Sequence, residues 1–148
     1  VNLVSAPLIA RERGIRVSTT KQGQSGMFEG FLKVTVVTAA RERSVAGTVF
    51  ADAKPRFIQI KGINVDAEVG AHMVYTTNDD SPGVIGVLGQ VMGDAGVNIA
   101  NFTLGRAERG GEAIAILHVD EKVPEDLLAR LRATGRFHQV TALAFEMG

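Results

Sequence analysis

The spacing of apolar residues divides this chain into two regions of different pattern. Over residues 31–38 they alternate, with Leu32, Val34 and Val36 on one face and Lys33 and Thr35 on the other, which predicts a strand. A polar turn at 41–44 and a second apolar run at 45–50 predict a hairpin. Pro55 interrupts that pattern, 57–60 reads as a third strand, and Lys61-Gly62 turns the chain into a further extended stretch at 63–67. Ahead of these strands, residues 5–14 read as a short helix, with Ser5 as its cap, Pro7 in its first turn and Gly14 at its end. Residues 15–20 read as extended, and 21–30 as a loop punctuated by Gly23, Gly26 and Gly30.

Beyond Gly70 the period changes. Residues 72–77 predict a strand and 79–83 a turn. Val84, Ile85, Leu88, Val91, Met92 and Ala95 then recur at helical spacing until Gly96. A strand at 97–104, a hairpin turn around Gly110-Gly111 and a strand at 113–119 follow. Pro124 opens a second helix with Leu127, Leu128 and Leu131 on its apolar side, and Gly135 ends it before a last strand at 137–145. Acidic Glu125 and Asp126 stand at the start of that helix and Arg130 and Arg132 near its end, as the helix dipole favours. The order βαββαβ packs as a four-stranded antiparallel sheet with both helices on one face. The expected class is α+β, with a small helix-plus-antiparallel-sheet domain at 1–69 and the βαββαβ unit at 70–148.

Composition narrows the functions open to such a chain. Its 148 residues carry 16 Lys+Arg against 16 Asp+Glu, so the basic excess of a nucleic-acid binder is missing. Cysteine is absent, which excludes disulfides and thiol chemistry and fits a reducing, cytoplasmic setting. No apolar run approaches the roughly 20 residues of a membrane helix, and no signal peptide is visible. The chain opens at Val1 directly into patterned sequence, and we expect it to be part of a longer protein.

The chemistry-bearing stretch is Asn78-Asp79-Asp80-Ser81-Pro82-Gly83 with the helix behind it. Ser81 as cap and Pro82 at the first helical position would leave the N–H groups of Gly83, Val84 and Ile85 free for an anion such as a carboxylate. Asp80 beside them suits an ammonium group, so the turn offers both receptors that a free amino acid needs. The alternative is that Asp79 and Asp80 only cap and solvate the turn. Gly86, Gly89 and Gly93 line one side of the helix at about 1 kcal/mol each relative to Ala. Close approach of another backbone or a ligand would offset that cost, either on the helix's own sheet or at a subunit interface. Asn98, after Gly96, offers an amide donor and acceptor to a ligand or to nearby backbone. His72, His118 and His138 share no metal-ligand spacing, and no dinucleotide fingerprint, P-loop or nucleophile elbow is present. The region therefore holds no catalytic constellation, metal or cofactor of its own. The basic clusters at 41–43 and 54–56 read as solvated turns or, alternatively, an anion patch.

Two of these motifs carry a resemblance. The Asp-x-Pro-Gly turn at Asp80 to Gly83 and the Gly-Val-Asn-Ile at Gly96 to Ile99, set in βαββαβ order, resemble an ACT domain of ferredoxin-like fold. Val1-Asn2, Ala6-Pro7-Leu8, Glu12-Arg13-Gly14 and Phe57-Ile58-Gln59-Ile60-Lys61-Gly62 resemble the C-terminal part of long-form D-3-phosphoglycerate dehydrogenases, where an intervening, allosteric substrate-binding domain precedes the ACT domain. The resemblance implies upstream catalytic domains that oxidise 3-phosphoglycerate with NAD in serine biosynthesis. It further implies homo-oligomers joined through ACT domains, with L-serine bound at the ACT interfaces as a feedback signal. Its serine contacts fall on Asn78, Asp80 and Asn98, and Asn78 departs from the aromatic or histidine side chain of some members. A family anion pocket in the intervening domain keeps a basic residue at Arg56, but Asn64 and Glu68 replace basic groups there. Other readings are the regulatory part of a serine dehydratase, or an oligomerisation module without ligand.

Overall fold

The computed structural model describes residues 2, 4–20 and 30–146. The expected loop over residues 21–30 lies outside them except for Gly30. The chain forms α1 (Ala6–Glu12), β1 (Leu32–Val37), β2 (Glu42–Val49), β3 (Pro55–Ile60) and β4 (Ile63–Glu68). It continues through β5 (His72–Asp79), α2 (Val84–Asp94), β6 (Ile99–Arg106), β7 (Glu112–Val119), α3 (Glu125–Ala133) and β8 (Gln139–Ala144). These strands make two four-stranded antiparallel sheets, the meander β1-β2-β3-β4 and the crossed order β6-β7-β5-β8.

Period-two alternation decides what each face of the second sheet meets. Val74 on β5, Ala115, Leu117 and Val119 on β7 and Val140 on β8 face the helices. They pack there with Leu88 and Met92 of α2 and Leu127, Leu128 and Leu131 of α3. Each fully buried Leu or Met in that cluster contributes about 1.5–3 kcal/mol of transfer free energy. The opposite face presents Met73, Tyr75, Ile114 and Ile116, and these meet Ile63 and Ala67 of β4, flanked by Phe57, Ile60 and Val65. The central strands β5 and β7 are thus covered on both sides, by helices and by the first sheet. Lys61 pairs with Glu112, the His118 ring contacts the Glu68 carbonyl through Nε2, and the Thr103 hydroxyl donates to the Asp66 carbonyl at 3.2 Å, tying the sheets at their polar margins. Gly105 allows the closest approach, since a Cβ there would lie 2.7 Å from the Asn64 carbonyl oxygen and from Val65 Cγ1.

Several local expectations change. Ser5 does stand at the N-cap of α1, but its side chain makes no capping bond; the Asn2 side chain instead accepts from the Val4 and Ser5 N–H groups at 3.0 and 2.8 Å. Residues 15–20 form no strand. The turn expected over 41–44 is tighter, because Thr38 bonds across to Arg41 and β2 already begins at Glu42. The cap expected at Ser81 is displaced: α2 starts at Val84 behind Gly83, whose φ of 89° lies in the left-handed region, and no side chain caps it. A Pro-Gly pair admits a tight turn as readily as a first helical turn, and here the turn wins. Gly86, Gly89 and Gly93 do not pack on their own sheet either, since a Cβ at each would meet nothing within 4 Å.

Candidate ligand-binding site

A cleft of about 270 Å³ opens where the start of α2 leans over β5, β6 and β7. Register assembles it. Asn78 of β5 and Arg106 of β6 both lie opposite Ala113 of β7, one from each side. Ala113, Ala115, Val84, Leu88 and Leu104 form the apolar wall, while Asn78, Asp80, Ser81 and Arg106 supply the polar groups. Asn78 is buried, and its amide donates to the Asp79 carbonyl at 2.7 Å. The first helical hydrogen bond of α2 runs from Val87 to Gly83, so the N–H groups of Val84, Ile85 and Gly86 have no partner within the helix. Oriented N–H groups at that end favour negative charge.

Asp80 is not an isolated carboxylate. It accepts from the Gly110 N–H at 3.1 Å and from Arg106 at 2.9 Å. The Gly110 N–H, and after it the Arg106 guanidinium, hold its carboxyl below the usual carboxylate range. The cleft therefore carries a fixed negative charge and an adjoining exposed positive one, a pair that can take up a zwitterion by exchanging one internal ion pair for two external ones. Arg106 escaped the sequence reading, because only the β6–β7 register carries it next to Asp80.

The structure brings Asn78, Asp80, Val84 and Ile85 together at this cleft, with Gly83 at its helix entrance. It does not bring Asn98 there. Asn98 lies beyond the other end of α2, exposed, with its amide donating to Asp120 at 2.6 Å. A helix of 11 residues is about 16 Å long, more than one side chain can span.

Arg56 occupies a different environment. Its guanidinium lies 3.2 Å from Asp52, 3.3 Å from Asp66 and 3.9 Å from Glu68, and stacks 5.0 Å from the Phe50 ring centroid. The Asp52 hydrogen bond, then that of Asp66, raises its pKa against the opposing effect of desolvation. Carboxylates already hold this cation, so the geometry gives a phosphate little to bind. Among the described residues, no cluster of His, Cys, Asp and Glu could hold a metal ion, and no helix is long and apolar enough to cross a membrane.

Comparison with known proteins agrees with this architecture. Residues 1–61 match the family described as the D-3-phosphoglycerate dehydrogenase intervening domain, and residues 72–136 match the ACT domain family. The chain belongs to the regulatory, intervening-plus-ACT region of the D-3-phosphoglycerate dehydrogenase family. A D-3-phosphoglycerate dehydrogenase of Bacillus subtilis (strain 168) is 34% identical over 131 residues, which is 86% of this chain and 25% of the relative. One from Methanocaldococcus jannaschii is 30% identical over 145 residues, 97% of this chain and 27% of the relative. The chain thus spans about a quarter of the length of the curated relatives it matches. The ACT match runs from β5 through α3, and the candidate cleft lies wholly inside it; we call the sheet of β5 to β8 the ACT sheet.

Proposed function

We propose that this region senses L-serine at an interface between two ACT parts and so exerts feedback on a D-3-phosphoglycerate dehydrogenase. In this reading an NAD-dependent catalytic portion of the same chain oxidises 3-phosphoglycerate, the units divide near Gly70 into 1–69 and 70–148, and the protein is cytoplasmic. The observation that carries the reading is the small cleft at the α2 N-terminus, with Asp80 and Arg106 side by side against an apolar wall. Asp80 takes the ammonium of the ligand, while Arg106 and the N–H groups of Val84 and Ile85 take its carboxylate. The cleft has room for a hydroxymethyl side chain. Gly83 gives the turn its shape, and Asn78 supplies a neighbouring amide.

Asn98 joins the site from a second copy. The α2 surface bearing Gly86, Gly89 and Gly93 is open, and Ile85 and Leu104 beside it are half exposed. Two such helices set antiparallel across a two-fold axis lay the far end of one, with its Asn98, against the cleft of the other. Symmetric pairing of this kind is the commonest form of homodimer. Calorimetry with L-serine tests the reading. Wild type gives saturable binding, and Asp80→Ala and Asn98→Ala, each with an unchanged circular dichroism spectrum, weaken it about ten- to a hundredfold, as expected for one charge-assisted hydrogen bond. A wild type that binds no amino acid makes the region an oligomerisation module instead. Unaltered binding in both variants rejects the site.

A further inference from the structure

A second cleft, of about 560 Å³, lies between the two sheets, at the end where the β1–β2 hairpin overhangs β5 and β8. Its floor is Thr77 of β5, Gln139 of β8 and Glu112 of β7. Arg41, Arg43 and Lys61 reach over it from the first sheet, and His138 stands at its rim. Like Val45 and Ile60, with which it shares a face by alternation and register, Arg43 points toward the second sheet.

The charges here are unbalanced, unlike those around Arg56. Lys61 pairs with Glu112, and His138 lies 3.2 Å from Asp79. Among the described residues, neither Arg41 nor Arg43 has a carboxylate partner; Arg43 makes only a 3.5 Å contact with the Glu42 carbonyl. Lys61 is moreover set in place by an unusual backbone. It has a φ of 54° in the turn before Gly62, a left-handed conformation that Asn or Gly adopts more cheaply. That conformation holds the lysine in the cleft with its side chain only 13% exposed. Two unpaired guanidinium forks and a constrained ammonium, converging on a polar floor between two sheets, form a receptor for a compact, doubly charged oxyanion.

We propose that the inter-sheet cleft of Arg41, Arg43 and Lys61 binds a small dianion, either a phosphate group or a dicarboxylate, and that this ligand bridges the intervening and ACT sheets. The site is separate from the ACT cleft and does not depend on serine sensing. The bound anion pairs with the arginines, while Lys61 divides its charge between the anion and Glu112. The side-chain amide of Gln139 and the hydroxyl of Thr77 lie on the floor as neutral donors.

The test is calorimetry of this chain with inorganic phosphate and, separately, with succinate, at low ionic strength. Arg43→Gln and Arg41→Gln change exposed side chains and leave the core intact, and circular dichroism checks each variant. At least one probe binds saturably, and the tighter of the two identifies the anion class. Each arginine variant weakens that binding about tenfold or more, and added salt weakens it further. Arg56→Gln leaves it unchanged, because that guanidinium is already held by carboxylates. The proposal is overturned if neither probe binds at millimolar concentration, if both arginine variants bind as wild type does, or if Arg56→Gln is the change that removes binding.

Discussion

The two sheets have equal numbers of strands and the same antiparallel pairing, yet they stand very differently toward water. The β5–β8 sheet is covered on one face by α2 and α3 and on the other by β3 and β4, so β5 and β7 are buried along nearly their whole length. The β1–β4 sheet rests one face on its neighbour through β3 and β4. Its outermost strand β1 is exposed throughout, and α1 buries no residue. The buried residues of the first sheet are Ile63 and Ala67 of β4, which rest on the second sheet, and Ala46 and Thr48 of β2. The second sheet thus carries a helix-backed core of its own, and the first sheet shares with it the cluster in which Ile63 and Ala67 are buried. Apolar alternation marks a strand in either case, but only a covering layer turns that strand into stability.

The largest effect is expected in the helix-backed core. Leu117 is fully buried, and Leu117→Ala should cost about 2–5 kcal/mol in chemical denaturation. A cost below 1 kcal/mol, of the order usual for surface positions, would contradict this ranking of the layers. Next comes the seam. Gly105→Val forces side-chain atoms into the Asn64 carbonyl and Val65, and should cost about 1–3 kcal/mol. Hydrogen exchange should then quicken in β4 while β7 keeps its protection, separating the sheets' stabilities. Tyr75 lies in the same seam. Burial, and after it Glu112, pushes its phenol up to about 12, with Arg43 pulling the other way. A raised pKa stabilises the fold at pH values below the unfolded value of about 10. That contribution fades as the pH climbs toward about 12. The alkaline limb of a stability–pH curve should therefore flatten in Tyr75→Phe. The smallest effect belongs to β1, where Leu32 is 72% exposed and Leu32→Ala should change stability by no more than about 0.5 kcal/mol.

The helix boundaries of the ACT part were largely legible because residues with a physical role mark them, whereas β6 runs over Ile99–Arg106, two residues later at each end than the expected 97–104. Gly96 and Gly135 follow their helices with φ of 70° and 67°, and Pro124 stands at the N-cap of α3. The start of α2 was less legible, since Ser81-Pro82-Gly83 fits both a cap and a turn, and the turn's left-handed Gly83 prevailed. Double coverage of β5 left a trace in Met73-Val74-Tyr75-Thr76-Thr77, which does not alternate cleanly between apolar and polar. Nothing in that run says which element covers the second face. At the candidate site, Asp80 and the helix start are neighbours in sequence and could be read together. The Arg106 partner and the distance to Asn98 depend on strand register and helix length, which a linear pattern does not encode. The cations of the inter-sheet cleft are scattered through the chain for the same reason. For Arg41 and Arg43 the sequence left a solvated turn and an anion patch both open, because it does not show the second sheet beneath them.

In the proposed site, serine binds where two copies meet, between Asp80 of one and Asn98 of the other. This arrangement is tested most directly by complementation. Asp80→Ala and Asn98→Ala, each defective alone, are mixed under conditions that allow subunits to exchange, and serine binding is measured by calorimetry. A mixed dimer carries one doubly damaged site and one intact site, built from the unaltered Asp80 of one copy and the unaltered Asn98 of its partner. Mixing should restore wild-type affinity at up to one site per mixed dimer. If the exchanged mixture binds serine no better than the separate variants, Asp80 and Asn98 do not share a site across the interface.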